Sequence, residues 1–185
     1  SNLLFNNNEL NIFKKLKKEI SVLLLQQEIP IDINIELLKI ANESGIKTIY
    51  DPGPPSKYEN FDFLKFVDFL TPNKHEAEFI LGKKIDGFEL EAAKELKKIG
   101  SNHVIITLGS EGLVYSGDFD RIFKPIKVNA IDPVGSGDCF NGALASMINK
   151  GEDILNSINF AQRAAAFSTT KKGASQSFPF LNEIK

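Results

Sequence analysis

The chain has very little of several residue types, and each shortage narrows what it can be. Its single cysteine, Cys139, has no second thiol to pair with, so no internal disulfide holds the fold. Its two histidines, His75 and His103, fall in different predicted elements without ligand-like spacing, which argues against a zinc centre. No apolar run approaches the roughly 20 residues of a membrane span, and no signal-peptide pattern opens the sequence. The formal net charge of -2 is too small for broad attraction to nucleic acid or anionic lipid. These shortages point to a cytoplasmic chain in a reducing compartment, with a small-molecule partner and neither a membrane nor a nucleic acid. No internal repeat is present, and only the asparagine-rich opening SNLLFNNNELN is low in complexity.

What remains is ordinary globular composition: 42% hydrophobic and 25% charged over 185 residues, enough for one domain with a real core. Leu10, Phe13, Leu16 and Ile20 recur at helical steps, predicting an amphipathic helix over 9–20 whose lysines at 14, 15, 17 and 18 form a solvated face. SVLLLQ reads as a buried strand, residues 34–42 as a helix closed by Gly45, and IKTIYD as a further strand before the turn PGPP. FVDFLTPN then predicts a strand leading into the helix KHEAEFILG, residues 86–99 another helix, and HVIITLG another buried strand. After the tight turn SEG, LVYSG and RIFKPIKV read as antiparallel strands, and helices follow near 137–149 and 152–170. Alternating strands and helices require right-handed crossovers. The fold class expected is therefore α/β: a doubly wound, mainly parallel sheet with helices on both faces and an antiparallel edge. Ligands in such folds lie beyond the carboxyl ends of the strands, so the loops DPGPP, TPNKHE, TLGSEG and DPVGSGD are the candidate site.

DPVGSGD carries the most chemistry. Its glycines admit backbone conformations closed to other residues, and it runs straight into a helix start, so the N–H groups from Val134 to Gly137 can converge on one anion, reinforced by the helix dipole. Such a nest suits a phosphoryl group in transfer, and Asp138, in the first turn of the same helix, can accept the proton of an attacking hydroxyl. The same residues also fit a plain glycine-rich helix cap with an acidic first turn, worth about 1 kcal/mol or less. No G-K-[ST] follows, so this is not a Walker loop. Likewise Asn73 with Glu76 is, on its own, a capping box, and TLGSEG a hairpin turn. Cys139 has no histidine arranged to activate it and reads as a small buried residue.

The stretch DPVGSGDCFNGALA resembles the C-terminal signature of the ribokinase (PfkB) family of carbohydrate kinases, and TPNKHEAEFILG, VIITLGSEG and KKGASQSFP follow in that family's order and spacing. FNGAL, and KGA followed by Ser and Pro, lie closest to its ribokinase members. The resemblance implies transfer of the γ-phosphoryl group of ATP to the 5-hydroxyl of D-ribose. By it, Asp138 is the general base that touches the acceptor, and the backbone of Gly135, Ser136 and Gly137 is the anion hole. Asn73 and Glu76 match the N-x-x-E motif that positions Mg2+ near the phosphates. Thr107, Gly109 and Gly112 line the nucleotide, and Gln162 borders adenine. Asp132, Val134, Ser168, Lys171, Gly173 and Ser177 enclose K+, mostly through carbonyls, and Glu28 matches a glutamate that contacts the sugar. Phe119, Phe123, Phe178 and Phe180 are expected to pack near the nucleotide.

Complete members of that family open with an N-terminal part carrying the first sheet strands, a lid of β-strands, a glycine pair and the sugar-gripping residues. None of those motifs is found here, so the expectation is a ribokinase-like C-terminal portion. Residues 1–20 are read as an N-terminal helix at a cut edge and 21–185 as the nucleotide-binding and catalytic part. The lid also forms the family's dimer interface, so a homodimer is expected of the full-length protein alone. Two alternatives stand: a nucleotide-binding module inactive by itself, or a kinase of the same family for a nucleoside or another sugar.

Overall fold

The computed structural model describes residues 2–55 and 60–184. They form two compact units, Ser1–Lys124 and Pro125–Lys185.

The larger unit is built on a six-stranded sheet: β1 (Val22–Gln26), β2 (Lys47–Asp51), β3 (Phe69–Leu70), β4 (His103–Thr107), β5 (Leu113–Ser116) and β6 (Asp120–Phe123), ordered in space as in sequence. β1 to β4 pair parallel, while β4, β5 and β6 pair antiparallel, giving the mixed sheet with an antiparallel edge that the sequence pattern predicts. The helices are α1 (Asn7–Leu16), α2 (Ile31–Glu43), α3 (Lys74–Leu81) and α4 (Glu89–Ile99). Strand side chains alternate between faces. Leu25, Tyr50, Leu70, Val104, Ile106 and Val114 join Leu37, Leu38, Ala41, Ala93 and Leu96 of the helices in one apolar cluster. Ile49, Phe69, Ile105, Leu113 and Tyr115, on the opposite parity, are buried as well. Both faces of the sheet are therefore covered, as a parallel sheet requires.

Several predicted boundaries shift, and three of the shifts have a local reason. The first helix ends at Leu16 in a tight 3-10 turn over Lys17–Glu19, which leaves Leu16 exposed while Leu10 and Phe13 stay in the core. FVDFLTPN yields a strand of only two residues, because the side chain of Asp68 takes the Thr48 N–H at 3.0 Å in place of a ladder carbonyl. RIFKPIKV stops at Phe123, ahead of Pro125, which has no N–H to give.

The smaller unit is a helical hairpin of α5 (Ser136–Asn149) packed along α6 (Ile154–Ser168), α6 being capped by Asp153, whose Oδ1 accepts the Asn156 N–H at 2.8 Å. Cys139, Phe140 and Leu144 of α5 and Ile158, Ala161 and Ala164 of α6 are buried.

His103 occupies a half-buried aromatic stack in the larger unit. Phe69 lies flat on its ring, with centroids 4.5 Å apart, and the Tyr115 hydroxyl sits 2.8 Å from Nδ1. The same hydroxyl oxygen accepts the Asp118 N–H at 3.1 Å. Burial holds the imidazole below its ordinary value of 6.5, although Asp118 and Asp68 pull the other way. A folded histidine that binds protons less readily than the unfolded one adds stability above its unfolded value, and this is lost as pH falls through the folded one. Urea unfolding from neutral pH down to about pH 5 should therefore show a steeper loss of stability in the native chain than in His103→Phe.

Candidate active site

Three loops at the carboxyl ends of β2, β3 and β4 meet in the larger unit. Asn73 caps α3: its Oδ1 accepts the Glu76 N–H at 3.0 Å, while its own N–H and Nδ2 donate to the two Glu76 carboxylate oxygens at 2.7 and 2.6 Å. Thr107, at the end of β4, is tied to the same turn, its N–H donating to Pro72 O at 3.0 Å in a bridge beside Asn73. Gly109 and Gly112 frame the following 3-10 turn, closed by the Leu108 N–H on Gly112 O at 2.9 Å.

The capping box is real, but it is more than a cap. Glu76 is only 8% exposed, and Asp51 at the end of β2 faces it. Burial first, then the Asp51 charge, push the Glu76 carboxyl from its ordinary 4.5 up to about 7, against the two Asn73 hydrogen bonds that lower it. The neighbouring carboxylates of Glu76 and Asp51 are oxygen donors of the kind a hard divalent cation takes, and such a cation would relieve the repulsion between them. Asp51 was not singled out from the sequence. Its signal was its place at the carboxyl end of a predicted strand, first in DPGPP. Among the described residues no group of three or more His, Cys, Asp or Glu is arranged to hold a metal ion.

Glu28 is exposed in the turn after β1, where Asn2 Nδ2 donates to its Oε2 at 3.2 Å. That turn is fastened to the same rim, for the Gln27 N–H donates to Gly53 O at 3.0 Å.

In the smaller unit the glycine loop caps α5. Gly135 has φ 79°, and a Cβ there would lie 3.1 Å from the Ala174 backbone and 3.2 Å from Phe178, so only glycine satisfies both the conformation and the space. The expected convergence of every N–H from Val134 to Gly137 does not hold. The Val134 N–H donates to Asp132 Oδ1 at 3.1 Å and the Ser136 N–H to Pro133 O at 3.1 Å, because the turn must satisfy its own polar groups. Gly135 and Gly137 carry N–H groups with no hydrogen bond among the described residues. Asp138 is exposed in the first turn of α5, where a negative charge suits the helix dipole.

Asp132 clamps two segments of this unit. Its Oδ2 accepts the Gly173 N–H at 3.0 Å as Oδ1 accepts that of Val134, and these two donors hold its carboxyl below the ordinary range. Ser168 and Ser177 are fully buried, their hydroxyls donating to Ala165 O and Ala174 O, and Lys171 pairs with Glu183 at 2.9 Å. Gln162 is half-buried on α6. Burial pushes the Cys139 thiol up, so it is a packing residue and no ready nucleophile. Phe123 is buried and Phe119 packs edge-on against Tyr115, while Phe180 is 79% exposed, ahead of a short terminal turn that buries none of its own residues.

The family profile for pfkB family carbohydrate kinases matches residues 2–181. The chain belongs to that family. It is similar to the ribokinase of Lactococcus lactis, with 37% identity over 169 residues that cover 91% of this chain and 54% of that protein. The ribokinase of Staphylococcus aureus shares 34% over 163 residues, covering 86% of this chain and 53% of its own. Among solved structures, Thermotoga maritima ribokinase superposes with a TM-score of 0.80 at 31% identity, covering 92% of this chain and 59% of that one. Arabidopsis thaliana ribokinase complexed with ribose and ATP gives 0.83 at 27%, covering 100% and 59%. The pfkB chain thus spans about half the length of the curated relatives it matches. Among the described residues no helix is long and apolar enough to cross a membrane.

Two measurements probe this geometry. Gly135→Ala should cost about 1–2 kcal/mol of stability in urea titration, the penalty of a left-handed conformation for an L residue. A carboxyl whose folded value is raised binds more protons folded than unfolded, so stability falls as pH rises across the gap. In metal-free buffer the native chain should lose stability from pH 4.5 to about 7, and Glu76→Gln should not show that slope.

Proposed function

We propose that this chain supplies the nucleotide-binding and catalytic part of an ATP-dependent sugar kinase, which transfers the ATP γ-phosphoryl group to the 5-hydroxyl of D-ribose. The observation that carries the reading is an exposed Asp138 in the first turn of a helix whose glycine loop presents free N–H groups, in a chain of the pfkB family. D-ribose as acceptor rests on the similarity to ribokinases, one of them solved with ribose and ATP.

In this reading Asp138 takes the proton of the attacking hydroxyl as its oxygen bonds to phosphorus and the ADP oxygen departs. The N–H groups of Gly135 and Gly137, with Ser136 between them, face the charge that builds on the transferred oxygens. Asn73 and Glu76, with Asp51 beside them, are the residues that would hold Mg2+, which neutralises phosphate charge when bound. Thr107, Gly109 and Gly112 border the nucleotide phosphates and ribose, Gln162 borders adenine, and Glu28 contacts the sugar. Asp132, by drawing Val134 and Gly173 together, shapes a carbonyl-rich turn suited to a monovalent cation, K+, with Ser168, Lys171 and Ser177 completing it. The whole protein is read as cytoplasmic, and as a homodimer through a lid that these residues do not include.

The test is ribose-dependent ADP release from ATP, measured on this chain and on the longer protein, with an acceptor panel of other pentoses and nucleosides. Asp138→Asn should keep nucleotide affinity while lowering turnover about 10²- to 10⁴-fold, the range for a lost general base. Unchanged turnover in that variant removes Asp138 from the mechanism. ADP release by the longer protein alone makes this chain a nucleotide-binding module, and a preference for another acceptor replaces ribose.

A further inference from the structure

We propose that Gly53 is a positioning residue, which joins the turn carrying Glu28 to the carboxylate of Glu76; the inference rests on the reading of Glu76 as a Mg2+ contact. Gly53 lies two residues past β2, and both its backbone groups are used. Its N–H donates to Asp51 Oδ1 at 3.1 Å, and its carbonyl accepts the Gln27 N–H at 3.0 Å. The second bond lies past the end of the β1–β2 ladder, whose last pair is Gln26 with Asp51, and out of its register, which would set Gln27 beside Pro52. The turn from 27 to 30 is held from below as well. Asn34, wholly buried on α2, gives its Nδ2 to Gln26 O at 3.0 Å and its backbone N–H to Pro30 O at 3.1 Å, and the Tyr50 hydroxyl bonds the Gln27 side chain. Glu28 stands in the middle of this pinned turn.

The other link is steric. A Cβ on Gly53 would lie 2.4 Å from Glu76 Oε1, 3.1 Å from Glu76 Cδ and 3.2 Å from Asp51 Oδ1. Gly53 is not among the glycines with positive φ, so what glycine supplies here is room and not conformation. The Glu76 carboxylate cannot swing aside freely, because it is buried and both its oxygens are held by Asn73 at 2.7 and 2.6 Å. A methyl group at position 53 must therefore displace either that carboxylate or the carbonyl that holds Gln27. One residue thus sets the spacing between the acceptor-side turn and the cation-side carboxylate.

The experiment compares the native 185-residue chain with Gly53→Ala. ATP affinity is measured by calorimetry with and without Mg2+, and the Gln27 amide is followed by hydrogen exchange. Gly53→Ala should reduce the Mg2+-dependent gain in ATP affinity by about 10- to 100-fold, the range for residues that orient a metal ligand. Affinity for metal-free ATP should hold within about twofold, and the Gln27 amide should exchange faster. Combining it with Glu76→Gln should add little, since the carboxylate is already misplaced. If the native chain shows no Mg2+-dependent gain, the reading of Glu76 falls and this inference with it. If the native chain shows the gain and Gly53→Ala retains it, only the inference falls. Should Gly53→Ala fail to fold, the same substitution in a Glu76→Ala background decides the matter. Recovered folding supports the steric link, and failure in both backgrounds overturns it.

Discussion

The rim of the larger unit depends on a carboxylate kept almost out of water. Glu76 accepts the backbone and side-chain N–H groups of Asn73 and lies against Gly53, with Asp51 close enough to raise its proton affinity. A buried acid next to another acid is unfavourable for folding. It persists because the cap on α3 holds both of its oxygens, beside the Gly53–Asp51 hydrogen bond past the end of β2. Destabilised, pre-placed oxygen donors of this kind are what binding of a cation rewards, so the cost of burying this carboxylate and the proposed use of the site have one origin.

The smaller unit answers a related problem with a different device. A glycine turn that offers N–H groups to an anion must still satisfy its own backbone, and here it does so by division. Val134 and Ser136 bond inward while Gly135 and Gly137 do not. Asp132 is the fulcrum, one oxygen on the loop before α5 and the other on Gly173, forty-one residues later. The loop's shape is therefore held by a carboxylate that does no chemistry in the proposed reaction.

Much of this was legible in the sequence because strong periodicity and turn chemistry agree. The apolar faces of α2 and α4, the strands VLLLQ and HVIIT, and the cap at Asn73 all read directly from residue spacing. Boundaries failed where a side chain did a backbone's work, as Asp68 does at Thr48, or where a turn tightened, as after Leu16. The glycine loop was legible as an anion-binding shape but not in its division of labour, because which N–H bonds inward depends on where Asp132 and Pro133 sit in space. Asp51 and Gly53 lie in DPGPP, a loop that the strand pattern assigns to the site, but nothing in the loop itself says what either residue does there. Their meaning comes from Glu76, distant in sequence, and no spacing rule reaches across a crossover.

The spatial order of the sheet, each strand beside its predecessor and its successor, bears on how the molecule is assembled. Every ladder joins elements adjacent in the chain, so each new strand finds its partner already formed, and the loop-closure entropy of each pairing stays modest. A sheet laid down in this order can grow vectorially as the polypeptide emerges during synthesis. β1 and β6, the two edge strands, each take part in one ladder only, so both flanks offer hydrogen-bonding capacity while the strands between them are paired on either side.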